Sequence, residues 1–243
     1  MIICLETATN LCSVALCDSA GVISLRESND SRTHASMLTL FIIEILKENG
    51  INASDLEAIA VSKGPGSFTG LRIGVSAAKG IAYAASIPLI AIETTFLMFR
   101  GMVQGKYGEK GADVSNLFCP MLDARRMEVY YAIYDSSGNT VKSISADVIT
   151  EASFNDIPES RKIIFFGDGA AKCREVIKRP NVYFDDDFRI SASHMCSPAF
   201  KALNNHQFED VAYFEPFYLK DFITSKPKKI FLGTNQYLVS DGV

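Results

Sequence analysis

The order of apolar runs in the first hundred residues is the strongest constraint on what this chain can fold into. Residues 2–5 (IICL), 11–17 (LCSVALC) and 21–27 (GVISLRE) are short apolar stretches, separated by Thr-Ala-Thr-Asn and Asp-Ser-Ala-Gly turn chemistry. They predict a three-stranded antiparallel meander. Residues 33–48 then carry a helical pattern stopped by Asn49-Gly50, and LEAIAVSKG reads as a buried strand ending in a Gly-Pro-Gly turn. A helix over Ser67–Ser86, a strand over Pro88–Ile92 and a helix over Thr94–Val103 complete the order β-β-β-α-β-α-β-α. Crossover units of that kind extend a hairpin sheet with parallel strands, which makes the class α/β.

From residue 117 the pattern returns. LFCPMLD, MEVYYAIYD and GNTVKSISA are strand-like, and KIIFFGDGA reads as a strand passing into a helix, so a degenerate second copy is expected without a residue-level repeat. The boundary falls in Gln104–Asn116, which holds three Gly, two Lys and a Glu and has a tip expected to be mobile. The units expected are 1–104, 105–221 and a mobile extension, 222–243, running through Lys226-Pro-Lys-Lys229.

Net charge is −4 and the pI about 5.5, so the field of the whole molecule repels phosphate and argues against tight autonomous binding of nucleic acid. The six cysteines form no CxxC pair and no dense framework; a reduced, cytosolic setting without disulfides is the simpler expectation. No run of ~18 apolar residues exists, and the first residues read as a strand instead of a signal peptide. A cytoplasmic protein with no membrane association is expected.

The most informative stretch is SKGPGSFTGLRIGVSAAKG, residues 62–80, where a strand ends in Gly64-Pro65-Gly66 and a helix opens with Ser67 as N-cap. Exposed N–H groups at a helix start, with Lys63 nearby, make an anion nest; a tight β–α turn without a ligand fits the same spacing equally well. Neither GxxxxGK[ST] nor GxGxxG is present. Along the helix, Gly70, Gly74 and Ala78 recur at i+4 and leave one face bare, while Arg72, Ser76, Lys79 and Tyr83 line the other. A bare face admits close approach of another element, from this chain or another. An Asp at Gly74 is expected to block that approach without unfolding the chain.

Helix 33–48 has a core face in Met37, Leu38, Phe41, Ile42, Ile45 and Leu46, yet Leu40 and Ile43 project from the other side. One buried face needs a stripe of only about 100°. Together the two helices point to a helical interface. His34, His194 and His206 have no metal-binding spacing, and His34 is read as a surface or interface donor. Glu6, Asp123 and Asp168 are the carboxylates placed at strand ends or turns, though turn-forming acids are the commoner case. Gly-x-Ser-x-Gly is absent, so nucleophilic hydrolysis has little support. Basic clusters at Arg125-Arg126, Lys172/Arg174/Lys178/Arg179 and Lys226/Lys228/Lys229 read first as solvated faces.

The runs IICLETATNLCSVAL, SRTHASML and VSKGPGSFTGLRIGVSAAKGIA closely resemble the TsaB family, also called YeaZ, and MLDARRMEVYYAIY, FFGDGAAK and EPFYLKD carry the match through residue 221. Gly-Pro-Gly-Ser-Phe-Thr-Gly-Leu-Arg is shared with the paralogue TsaD, and Asp123-Ala124-Arg125 points to TsaB. The resemblance implies an actin-like, Hsp70-like ATPase (ASKHA) fold with two related sub-domains, each a mixed sheet flanked by helices. It implies a non-catalytic scaffold and activator that acts with TsaD and TsaE in threonylcarbamoyl transfer to tRNA, touching tRNA indirectly through the complex. TsaD relatives hold their metal with a pair of histidines on a helix that this chain lacks, and Glu6 stands where actin-like ATPases commonly have Asp.

The resemblance also carries a partner interface onto the first two helices, at His34, Met37, Leu40, Phe41, Gly70, Arg72, Ile73, Gly74, Ala77 and Ala78. That surface pairs with TsaD or with a second copy in a homodimer. No intrinsic cofactor or metal is expected. ATP or ADP near the interface with TsaD would be held by Glu6, Lys63, Gly64, Gly66, Ser67, Asp168 and Gly169. Apart from the resemblance, the basic clusters would contribute auxiliary tRNA phosphate contacts if folding brings them to one side. The rival readings are a self-sufficient ATPase or small-molecule kinase clamping metal with Glu6 and Asp168, and a glycoprotease-like peptidase.

Overall fold

A computed structural model describes residues 1–29, 34–107 and 113–220. The tip of the expected linker and the whole of Lys226–Lys229 lie outside the described residues. The first sheet contains β1 (Ile2–Glu6), β2 (Cys12–Asp18), β3 (Gly21–Ser28), β4 (Ala58–Gly64) and β5 (Leu89–Glu93), in the order β3-β2-β1-β4-β5. The expected meander is there: β1–β2 and β2–β3 are antiparallel, and β4 and β5 are added in parallel.

The second sheet repeats the topology. It contains β6 (Leu117–Asp123), β7 (Glu128–Asp135), β8 (Thr140–Val148), β9 (Ile163–Phe166) and β10 (Val182–Asp185), in the order β8-β7-β6-β9-β10. Again a meander is followed by two parallel strands. Four helices complete the described fold: α1 (His34–Glu48), α2 (Phe68–Ala85), α3 (Thr94–Met102) and α4 (Cys196–Asn204).

Strand alternation sorts these elements into layers. Ile3, Leu5, Ile59 and Val61 face α1 and α2, packing on Leu38, Ile45, Val75 and Ala78. Ile2, Cys4, Ala58 and Ala60 face the other way, onto α3, α4 and one face of the second sheet, through Met98, Phe99, Ala199, Phe118 and Phe166. The far face of the second sheet is closed by residues of the 149–177 segment, among them Ile149, Phe154, Cys173 and Ile177. Strand β1 is therefore buried on both faces, which is why it reads as a continuous apolar run.

Two expectations need correction, and one helix was not expected. KIIFFGDGA does not pass into an α-helix: after β9 the chain makes one 3-10 turn, Ala171–Cys173, in i→i+3 bonds such as Cys173 N–H to Ala170 O (3.0 Å). Val176-Ile177 and Pro180 disfavour more, since β-branched residues crowd a helix and proline ends it. Helix α4, for which no expectation was formed, carries Pro198 in its first turn, where a missing N–H costs nothing. Cysteine spacing predicted no disulfide, yet Cys17 of β2 is joined to Cys196 at the start of α4 across a sequence separation of 179. Only the stacking of α4 on the first sheet brings them together, with Cys4 alongside.

Candidate functional site

The glycine-rich turn shows what its small residues are for. A Cβ on Gly66 would lie 2.4 Å from Ala8 O, and Ser67 N–H donates to that same carbonyl at 2.6 Å. Gly64, at φ +114°, has Phe217 O 2.5 Å from where its Cβ would be, and Phe217 N–H donates to Lys63 O at 2.7 Å. Ser67 caps α2 as expected, its hydroxyl accepting from Gly70 N–H at 3.2 Å. The turn thus receives two segments of its own chain, and at least one amide of the expected nest already has a partner.

Glu6 ends β1 with no solvent exposure. Its Oε1 accepts from Ala8 N–H at 2.5 Å, and its Oε2 is without a partner among the described residues, as are the buried hydroxyls of Thr7 and Ser62. Burial pushes its pKa up to about 7, against the opposing pull of the Ala8 amide and of Ser62, whose hydroxyl is close enough to be felt but does not form a bond of ordinary geometry. Among the described residues, the only group of three or more His, Cys, Asp or Glu whose ligand atoms converge is Cys4, Cys17 and Cys196. Glu6 is not part of it.

Between the two sheets opens a cleft of about 1000 Å³. Gly66 and Ser67 line it on one side, and Asp123, Arg125, Arg126 and Asp168 on the other. Lys63, Gly64, Gly169 and Glu6 are not among its lining residues. Asp168 Oδ1 accepts from Asp123 N–H at 3.0 Å. The surrounding protein raises the pKa of Asp168, the Asp123 backbone amide offsets this in part, and the Asp123 carboxylate adds to the rise. Asp123 itself is paired with Lys172, and Glu128 with Lys220. The β6–β7 turn holds two successive left-handed residues that are not glycine, Arg125 (φ 72°) and Arg126 (φ 49°). Sequence reasoning marked Arg125-Arg126 as a basic cluster and Arg125 as part of the Asp-Ala-Arg motif; the backbone conformation has no signal in residue type.

The helix pair divides the expected interface residues in two. Gly70 and Gly74 face their own chain: a Cβ on Gly70 would meet Thr7 O at 2.0 Å, and one on Gly74 would meet Thr7 Oγ1 at 2.3 Å. Ala78 and Phe41 are buried in the core beneath the helices. The bare stripe is therefore the inner face of α2, laid against the end of β1, and not a seat for another helix. His34 is buried too, its Nε2 3.0 Å from Asn10 O, so it is not a surface donor. Leu40 (44 % exposed), Ile43 (56 %) and Arg72 lie outside, with Met37, Ile73 and Ala77 half-buried between the helices and solvent. Arg72 rests over the Phe68 ring at 4.1 Å, and its Nε donates to Tyr218 Oη at 3.1 Å.

Comparison with known proteins decides the family. The family model of TsaD, described as tRNA N6-adenosine threonylcarbamoyltransferase, matches residues 27–240. The tRNA threonylcarbamoyladenosine biosynthesis protein TsaB of Escherichia coli (strain K12) is 35% identical over 140 residues, 58% of this chain and 57% of that protein. Its counterpart in Bacillus subtilis (strain 168) is 25% identical over 180 residues, 73% and 75% of the two chains. The chain belongs to the TsaB (YeaZ) branch of the TsaD family.

YeaZ from Pseudomonas aeruginosa superposes with a TM-score of 0.76 at 25% identity, over 90% of this chain and 99% of that one. The two-sheet architecture is accordingly the actin-like α/β fold of this family. The match to the Escherichia coli relative spans little more than half its length, 57%. No described helix is long and apolar enough to cross a membrane.

Proposed function

We propose that the chain is a non-catalytic scaffold and activator subunit for threonylcarbamoyl transfer to the adenosine 3′ of the anticodon in tRNAs reading codons that begin with A, acting with TsaD and TsaE. The supporting observation is the outer face of the first helix pair. Helix α1 fills the core with Leu38, Phe41, Ile42 and Ile45 and still presents Leu40 and Ile43 to solvent, beside half-buried Ile73 and Ala77 of α2. An apolar surplus of this kind suits a helical partner, TsaD in the complex or a second copy in a homodimer. Met37, Leu40, Arg72, Ile73 and Ala77 are the contacts retained in this proposal, with ATP or ADP bound, if at all, near the junction with TsaD.

The test is reconstitution of threonylcarbamoyl transfer to tRNA from cognate TsaD, TsaE and the adenylate-making synthase, with this chain present or omitted. Product that disappears on omission, and does not form from this chain and donor alone, is the expected result; undiminished product without it overturns the proposal. Replacing both Leu40 and Ile43 with Asp is expected to weaken association with TsaD by ~100-fold, as two central apolar anchors do at interfaces, while leaving the melting temperature unchanged. Isothermal titration of the double variant at wild-type affinity would move the interface elsewhere.

A further inference from the structure

We propose that residues 209–220 form a strap that latches the inter-sheet cleft, with the Lys220–Glu128 ion pair as the contact whose making and breaking sets how far the cleft opens. This motion belongs to the chain alone and does not depend on the functional reading above.

After α4 the chain turns back over the first sheet. Glu209 N–H donates to Leu89 O at 2.9 Å, on the edge strand β5. Asp210 then folds the backbone into a turn, its Oδ1 accepting from Ala212 N–H at 2.8 Å and Tyr213 N–H at 3.1 Å. Val211 and Phe214 pack, half-buried, on the core beneath α1 and α2. Lys79 of α2 holds the turn in place, donating to Ala212 O at 3.1 Å and Phe214 O at 2.9 Å. Phe217 N–H then reaches Lys63 O, in the space that Gly64 leaves by having no Cβ. The Tyr218 ring lies 5.0 Å from that of Phe68, and its hydroxyl accepts from Arg72 Nε. Each of these partners belongs to the first sheet or to α2, so the strap is seated on that unit by backbone, aromatic and cationic contacts together.

Its last residues cross to the other unit. Phe217, Tyr218, Leu219 and Lys220 all line the cleft, and Lys220 Nζ pairs with the Glu128 carboxylate at the start of β7. The acceptor end is fixed to the second sheet: Lys172 Nζ donates to Glu128 O at 2.6 Å, and Glu128 N–H closes the β6–β7 turn on Arg125 O at 3.1 Å. The pair itself is not sealed, since the Lys220 side chain is 46 % exposed, and exposed ion pairs are weak and screened by salt. Elsewhere the two sheets meet through a packed core around Phe99, Phe118 and Phe166, with Tyr134 Oη donating to Glu93 Oε1 at 2.8 Å. Packed cores resist continuous deformation, whereas a solvated ion pair opens readily. Two units joined by such a core and bridged by one weak polar contact have the make-up of a hinge with a latch.

The test uses the full chain without partners, carrying nitroxide labels at Thr69→Cys and Val148→Cys, two exposed positions that line the cleft from the two units. The native cysteines are buried or disulfide-bonded, so the labels go to the introduced thiols. Pulsed dipolar spectroscopy gives the distribution of distances across the cleft at low salt. It is compared among the otherwise unchanged chain, K220A, E128A, the double variant K220A/E128A, and Y213A, which alters an exposed strap residue outside the cleft lining. A surface ion pair shifts an equilibrium by up to about five-fold, so each single variant is expected to raise the ratio of long to short distances by about that factor. The double variant should match the singles, because either substitution removes the whole contact. High salt should move the unchanged chain toward the same distribution, and Y213A should leave it where it is. Hydrogen exchange at the Phe217 amide should stay slow in K220A, as expected of a strap still seated on the first unit. Identical distributions in the unchanged chain and both single variants overturn the latch. Additive shifts in the double variant overturn it too, since they would make the two residues act through separate contacts, and so does fast exchange at Phe217, which would mean that the whole strap had detached.

Discussion

Gly74→Asp is expected to abolish folding, not merely to block a partner. The Cβ alone would lie 2.3 Å from Thr7 Oγ1 and 3.5 Å from Val61 Cγ2, and the carboxylate would sit without a cation in the layer between α2 and the first sheet. Burying an unpaired charge and overpacking a helix–sheet contact together exceed ~4 kcal/mol, a large part of the stability of an ordinary domain. Two companion variants grade the effect along one helix. Gly70→Ala meets a backbone oxygen, Thr7 O at 2.0 Å, that has no rotamer to escape by, and should cost roughly 3 kcal/mol. Gly80→Ala meets nothing within 4 Å on the exposed side and should stabilise by up to ~1 kcal/mol through helix propensity. Urea midpoints that fall in the order Gly80→Ala, wild type, Gly70→Ala, with no folded Gly74→Asp, support this packing. A folded Gly74→Asp that has lost only its partner would restore the stripe as an interface.

Glu6→Gln is expected to stabilise the protein above neutral pH and to do so progressively less as the pH falls. In the folded chain the carboxyl holds its proton up to about pH 7, against an ordinary value of 4.5. The folded state therefore binds the proton more tightly than the unfolded one. This group's contribution is at its most favourable below about pH 4.5, is lost as the pH rises through the interval to about 7, and is flat above. The full loss is on the order of 3 kcal/mol at about 1.4 kcal/mol per tenfold. Gln carries no charge to desolvate and keeps an oxygen for the Ala8 amide. The difference in unfolding free energy between variant and wild type should grow across that interval and reach a plateau by pH 8, whereas parallel stability curves would show that Glu6 is ionised in the fold at no such cost. If Glu6 instead served a metal clamp in a working ATPase, the same substitution would abolish nucleotide turnover by the isolated chain.

Most of the fold was legible before any coordinate. The three apolar runs, the Asn49-Gly50 stop, Ser67 as a cap and the two helices that follow are local statements, written in hydrophobic period and turn chemistry over a few residues. The return of the same order after residue 117 announced the second sheet for the same reason. The site was legible in its residues but not in their assignments. Residue type says that Gly70 and Gly74 admit close approach; it does not say that the approaching group is Thr7 of the same chain. It says that Lys172, Arg174 and Arg179 are cations; it does not say that each already has acceptors, while Arg125 and Arg126 have none among the described residues.

What the sequence determined by itself was the order, type and capping of elements, because those depend on interactions within a turn of helix or a pair of strands. What only the tertiary structure decided was which face of α2 lies inward, that Glu6 is sealed from water, that Cys17 meets Cys196, and which arginines overlook the cleft. Each of these follows from how two sheets and the helices between them stack, and that stacking joins residues far apart in the chain that no local pattern relates.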